Sequence, residues 1–111
     1  MSSIQQITEL DVYQQEAIKT LKPMTERDSK TYCAIKLCTE AGEAAQLIAK
    51  HIFHGKELNK EALKDELSDT LWYLANFAYI NDFSLSEIAT YNIEKLRKRH
   101  GETYNKEFYT K

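Results

Sequence analysis

Apolar residues recur along this chain at intervals of three and four, and no two-residue alternation persists. The pattern predicts helices and no strand. Local start and stop residues delimit four such stretches. The first runs from about Ile4 to Leu21, with Ser3 and Gln6 as a candidate capping box and Lys22-Pro23 as its end. The second runs from about Ser29 to Phe53 and leaves through His54-Gly55. The third follows Asn59 as N-cap and continues to about Ile80, where Asn81-Asp82 turns the chain. The fourth starts at Ser84, with Glu87 completing a capping box, and reaches about His100. With three Gly, one Pro and no repeat or linker in 111 residues, the expectation is a single all-α, four-helix bundle-like domain over residues 1–111. Residues 101–111 form a short tail of mixed character.

The third stretch changes this picture. Leu67, Thr70, Leu71, Trp72, Leu74, Ala75, Phe77, Ala78 and Ile80 spread around most of its circumference. A helix apolar on nearly all sides must be covered on nearly all sides. Three short neighbours from the same chain do not achieve this, so a dimer or a larger homo-oligomer is expected.

Composition narrows the classes. With 42% hydrophobic and 29% charged residues the chain is globular. No apolar run approaches the roughly 20 residues that cross a bilayer, and "MSSIQQITEL" lacks the pattern of a secretory leader, which predicts a soluble cytoplasmic protein without a membrane partner. A net charge of −2 offers no general attraction to nucleic acid, and "KLRKRH" reads as the basic end of a helix. Cys33 and Cys38 stand five residues apart, about 8 Å along one helix and too far for a disulfide, so both are expected as reduced packing residues.

The candidate chemistry lies in "CTEAGEAAQLIAKHIFHGKELNKEALKDELSDTLWYLAN". Glu40 and Glu43 project from one face of the second helix, while Glu66, Asp69, Tyr73 and Asn76 line a polar stripe on the third. A short connection makes the two helices antiparallel neighbours, so the acidic pairs face each other. Four ionised carboxylates that converge need a cation between them. Hard oxygen donors suit Mg²⁺, Mn²⁺ or Ca²⁺. A di-iron bundle would need Glu-x-x-His, but Glu43, Gln46 and Asp69 occupy the positions three after Glu40, Glu43 and Glu66. Mg²⁺ retains waters and favours phosphate oxygens as further ligands, which implies a polyphosphate substrate, with Mn²⁺ as a substitute ion.

On the fourth helix Asn92, Lys95 and Arg99 share one face and supply amide and cationic donors suited to a phosphate chain. The competing reading, a basic helix end that complements the macrodipole, applies above all to Arg97 and Lys98. His51 and His54 form H-x-x-H without a third ligand at suitable spacing and read as a surface pair at a helix end. Tyr13, Gln14 and Tyr32 are candidates for a base pocket, with aromatic packing as the alternative for the tyrosines.

"EAGEAAQ", "KDELSDTLWYLANFA" and "SLSEIATYNIEKLRKRHGE" together resemble the MazG-like all-α nucleoside triphosphate pyrophosphohydrolases. That family is marked by E-x-x-E, a spacer, E-x-x-D and a helix of the form N-x-x-K-x-x-x-R. The spacer between Glu43 and Glu66 is 22 residues here, and the likeness extends from about Tyr32 to Gly101. The resemblance implies Glu40, Glu43, Glu66 and Asp69 as Mg²⁺ ligands, and Asn92, Lys95 and Arg99 as phosphate contacts. It implies hydrolysis of a nucleoside triphosphate to the monophosphate and pyrophosphate, clearing non-canonical or excess nucleotides, in a dimer or dimer of dimers. Ser68 stands where relatives usually have Gly, a change that a helix tolerates. Glu43 is the chosen proton acceptor for the attacking water. The alternative is an inactive helical module for oligomerisation or partner binding.

Overall fold

A computed structural model describes residues 4–104, 106 and 107. Among the described residues the chain forms four helices and no strand: α1 (Leu10–Ile18), α2 (Glu26–His54), α3 (Lys60–Ile80) and α4 (Leu85–His100). Residues 1–3, residue 105 and residues 108–111 lie outside the described residues, so the first half of the expected capping box and part of the expected tail do too.

Three helix starts are set by the side chains that precede them. The Thr25 hydroxyl accepts from the Asp28 amide, so α2 begins at Glu26 rather than at Ser29. Asn59 accepts from the Ala62 amide at the head of α3. Ser84 and Glu87 form both bonds of the capping box at the head of α4. Gly55 ends α2 in the left-handed conformation, with φ of 65°. The first helix is shorter than the apolar pattern predicts. Its N-cap, Glu9, makes no side-chain capping bond, and residues 4–9 lie outside regular structure. Ile4 is 80% exposed, so no buried face offsets the cost of extending the helix backwards.

The long helices α2 and α3 form an antiparallel pair, shown by Glu40 lying beside Glu66 while Tyr32 meets Tyr73. Helix α1 packs on α3, and α4 contacts α1 and, more sparsely, α3. A small core of Ala17, Ala75, Ala78 and Leu85 joins these three helices, with Tyr13 and Trp72 against it. The Trp72 indole donates to the Thr20 hydroxyl at 2.8 Å.

Buried Gln14 holds the α3–α4 corner. Its amide nitrogen donates to the Ala75 and Phe83 carbonyls at 3.0 and 3.1 Å, and its oxygen accepts from the Leu85 amide at 3.1 Å. Asp11 accepts from the amide and hydroxyl of Ser86 at the start of α4, and these bonds lower its pKa. Gln14 therefore spends its amide on backbone groups, and it also lines a cavity with Tyr79, Asp82 and Phe83.

The single chain is open. Its radius of gyration is 17.2 Å, against about 13 Å expected for a compact domain of this length. Leu67, Leu71 and Leu74, a turn apart on α3, remain exposed, as do Ile48, Ile52 and Phe53 on α2. No helix among the described residues is long and apolar enough to cross a membrane.

Candidate metal centre

Glu40 and Glu43 lie a turn apart on α2 and Glu66 faces them from α3, so the helical repeat and antiparallel pairing bring three carboxylates together. One oxygen from each lies within 4.8 Å of the others. Asp69, the fourth expected acid, stands a turn beyond Glu66 and outside this tight trio. It still feels the trio: burial first, then the charges of Asp65, Glu40 and Glu43, raise its pKa, while Lys36 opposes them.

Glu66 carries the strain of this arrangement. Its Oε2 is buried and finds no hydrogen-bond partner while all three groups are ionised. A proton resolves the conflict. The Glu66 pKa is pushed up to about 7, first because its acid form hydrogen-bonds to Glu40 and Glu43, then through burial and the negative charge of both neighbours.

This shift predicts how the metal-free protein responds to pH. Glu66 titrates at about 7 in the folded chain against 4.5 ordinarily, so the folded state holds more protons between those values. Its contribution to stability is therefore fully present below about pH 4.5 and lost as pH rises through about 7. Asp69, also raised, acts in the same direction from 3.8 upward. Melting in a chelator is expected to occur at a higher temperature near about pH 5.5 than near about pH 8. A flat or opposite profile would show that the acids do not share a proton.

Around the trio, Lys36 Nζ lies 3.4 Å from Glu40 Oε1 and 6.0 Å from the centre of the Tyr73 ring. Tyr73 and Tyr32 join hydroxyls at 3.0 Å, edge to face. Burial, then the bond to Tyr32, raises the Tyr73 pKa, so the Tyr73 hydroxyl stays neutral. Below it, Asn76 is fully buried, donates to the Trp72 carbonyl, and leaves its Oδ1 without a partner among the described residues. The polar stripe expected on α3 is thus continuous, from Glu66 through Asp69 and Tyr73 to Asn76. Lys36 was not singled out from the sequence. The signal was available, because Lys36 precedes Glu40 by one helical turn on the same face.

The expected phosphate contacts lie on the fourth helix, as the sequence predicts. Asn92, Lys95 and Arg99 lie on α4, which packs against α1 and α3. Lys95 Nζ stands 5.9 Å from the Tyr91 ring centre on its own helix. The fold brings the acids of α2 and α3 together, whereas these three residues stand on a helix that packs mainly on α1. The remaining sequence candidates are resolved simply. Cys33 is fully buried, whereas Cys38 is exposed and is not a packing residue, and both are free thiols. His51 bonds the Lys56 carbonyl through Nδ1 at the α2 exit, as a surface residue.

The donor set fits a hard divalent cation. Two oxygen–metal bonds on opposite sides of such an ion span about 4–5 Å, which matches the 4.8 Å reach of the trio. An ion there would satisfy the buried Glu66 oxygen that otherwise needs a shared proton.

Fold and site together define an all-α domain whose antiparallel helical pair carries a carboxylate centre. Residues 27–104 match the MazG nucleotide pyrophosphohydrolase domain, and the chain belongs to that family. It is also similar to the Gene 37 protein of Mycobacterium phage L5, 35% identical over 74 residues. That match covers 62% of this chain and 64% of the phage protein, so the chain spans less than two thirds of this relative. No solved structure matches.

Proposed function

We propose that the protein is a Mg²⁺-dependent nucleoside triphosphate pyrophosphohydrolase that releases a monophosphate and pyrophosphate and acts on non-canonical or excess nucleotides. The observation that carries this reading is the carboxylate trio Glu40, Glu43 and Glu66 in a chain of the MazG family. Glu40, Glu43 and Glu66 would hold the ion, and Asp69, a turn along α3, completes the set. When bound, Mg²⁺ supplies charge neutralisation of the triphosphate and acidification of a water molecule; Mn²⁺ can replace it.

The chain's own residues supply the rest. Glu43, the most exposed member of the trio, accepts the proton of the water that attacks the α-phosphorus. Asn92, Lys95 and Arg99 donate to the phosphate chain and the departing pyrophosphate. These donors meet the substrate in a homo-oligomer, where a second copy covers the exposed apolar stripe of α3. The reaction takes place in the cytoplasm.

The test is pyrophosphate release with Mg²⁺ over a panel of standard and modified triphosphates. Turnover is expected with Mg²⁺ or Mn²⁺ and is expected to be poor with Ca²⁺, whose looser coordination positions water less well. Mg²⁺ at about 100 times its Kd should also add about 2.7 kcal/mol of stability. A melting temperature unchanged by millimolar Mg²⁺, together with no turnover on any triphosphate, would leave only the inactive helical module.

A further inference from the structure

Glu40 is the member of the trio that the fold buries most, at 8% exposure. A buried carboxylate needs a counter-charge, and Lys36, one turn earlier on α2, provides it at 3.4 Å. The Lys36 ammonium also faces the Tyr73 ring and acts on Asp69, so it stands between the acids and the tyrosine pair. Its position is conditional on the state of the trio. A divalent ion among Glu40, Glu43 and Glu66 would satisfy Glu40 and repel an ammonium beside it. Lysine carries its charge on a flexible four-carbon stem with three donors, which lets it change partners without moving the helix. Lys36 is 35% exposed at its side chain, so the way out toward solvent and substrate is open.

We infer that Lys36 is the counter-ion of the carboxylate trio in its metal-free state and moves to the phosphate chain of the nucleotide when a divalent ion is bound. This inference rests on the proposed function, because it needs both a divalent ion and a triphosphate at the trio. It adds a substrate-binding residue on α2, adjacent to the acids, to the donors of α4. It also makes metal and lysine competitors for Glu40, so the metal and the nucleotide are coupled through a single side chain.

The two halves of the inference have separate readouts. Mn²⁺ alone is titrated into the full-length chain, without nucleotide, by calorimetry or by the loss of the free-ion resonance. Lys36→Met, which keeps the length and removes the charge, is expected to bind Mn²⁺ about 3- to 10-fold more tightly than the wild type. Lys36→Arg, which keeps the charge, is expected to stay near the wild-type affinity. Lys36→Gln serves as a second neutral variant should Lys36→Met fail to fold, and circular dichroism checks both. At saturating metal, the neutral variants are expected to raise KM for the triphosphate about tenfold or more, with a smaller change in kcat. Unchanged or weakened Mn²⁺ binding in folded neutral variants overturns the counter-ion role. An unchanged KM overturns the transfer to phosphate. Either of these outcomes, with wild-type metal binding and turnover intact, overturns the Lys36 inference alone, whereas failure of the wild type itself to bind Mn²⁺ overturns both this inference and the proposed function.

Discussion

Glu66→Gln is expected to lower turnover by about two orders of magnitude or more while leaving the metal-free fold as stable as the wild type, or more stable. The two effects have one origin. Glu66 is the acid that must take up a proton to satisfy Glu40 and Glu43 when no metal is present. A glutamine amide keeps the shape and provides that donor at every pH, so the like-charge conflict of Glu66 with Glu40 and Glu43 is removed. The same change removes a metal ligand, so Mg²⁺-dependent stabilisation should shrink. The decline in metal-free stability from acid to neutral pH should flatten as well, because the group that titrates at about 7 is gone. Melting curves in chelator at several pH values, set beside pyrophosphate release with Mg²⁺, test all three consequences on one variant. A glutamine variant that is strongly destabilised but still fully active would mean that Glu66 serves a structural ion pair and would overturn the centre as assigned.

Leu67→Lys is expected to break the assembly. The wild type should sediment as a dimer or tetramer at micromolar concentration, and the variant as a monomer with a much lower melting temperature. In the protomer Leu67 is 54% exposed, and it continues along α3 into Leu71 and Leu74. If that stripe were a solvent face, a lysine there would change stability by no more than about 0.5 kcal/mol. Under a second copy, the substitution instead buries an ammonium, and a two-fold interface counts that cost in both protomers. Sedimentation of both proteins, with thermal melts, distinguishes these cases. A monomeric wild type with a cooperative melt would remove the assembly, and with it the route by which α4 donors reach the trio.

What the sequence by itself determined is local. The caps at Thr25, Asn59 and Ser84 and the glycine exit at Gly55 use groups within a few residues of one another, so α3 and α4 begin where their capping residues predict. The E-x-x-E and E-x-x-D pairs are legible for the same reason, since the helical repeat alone puts each pair on one face. The apolar circumference of α3 was legible too, and the structure leaves part of it uncovered.

Tertiary structure decided what depends on separation in the chain. The start of α1 was misjudged because periodicity does not reveal whether Ile4 has anything to pack against. The partners of Gln14, 61 to 71 positions away, were not legible, so its bonds to the backbone of the α3–α4 corner came only from the fold. The acids separated into a tight trio and an outlying Asp69 only when α2 and α3 took a definite register. The shared proton of Glu66 and the place of Lys36 within the centre follow from that register. Electrostatic energies depend on distances of a few ångströms between helices, and the spacing of residues along one helix does not contain those distances.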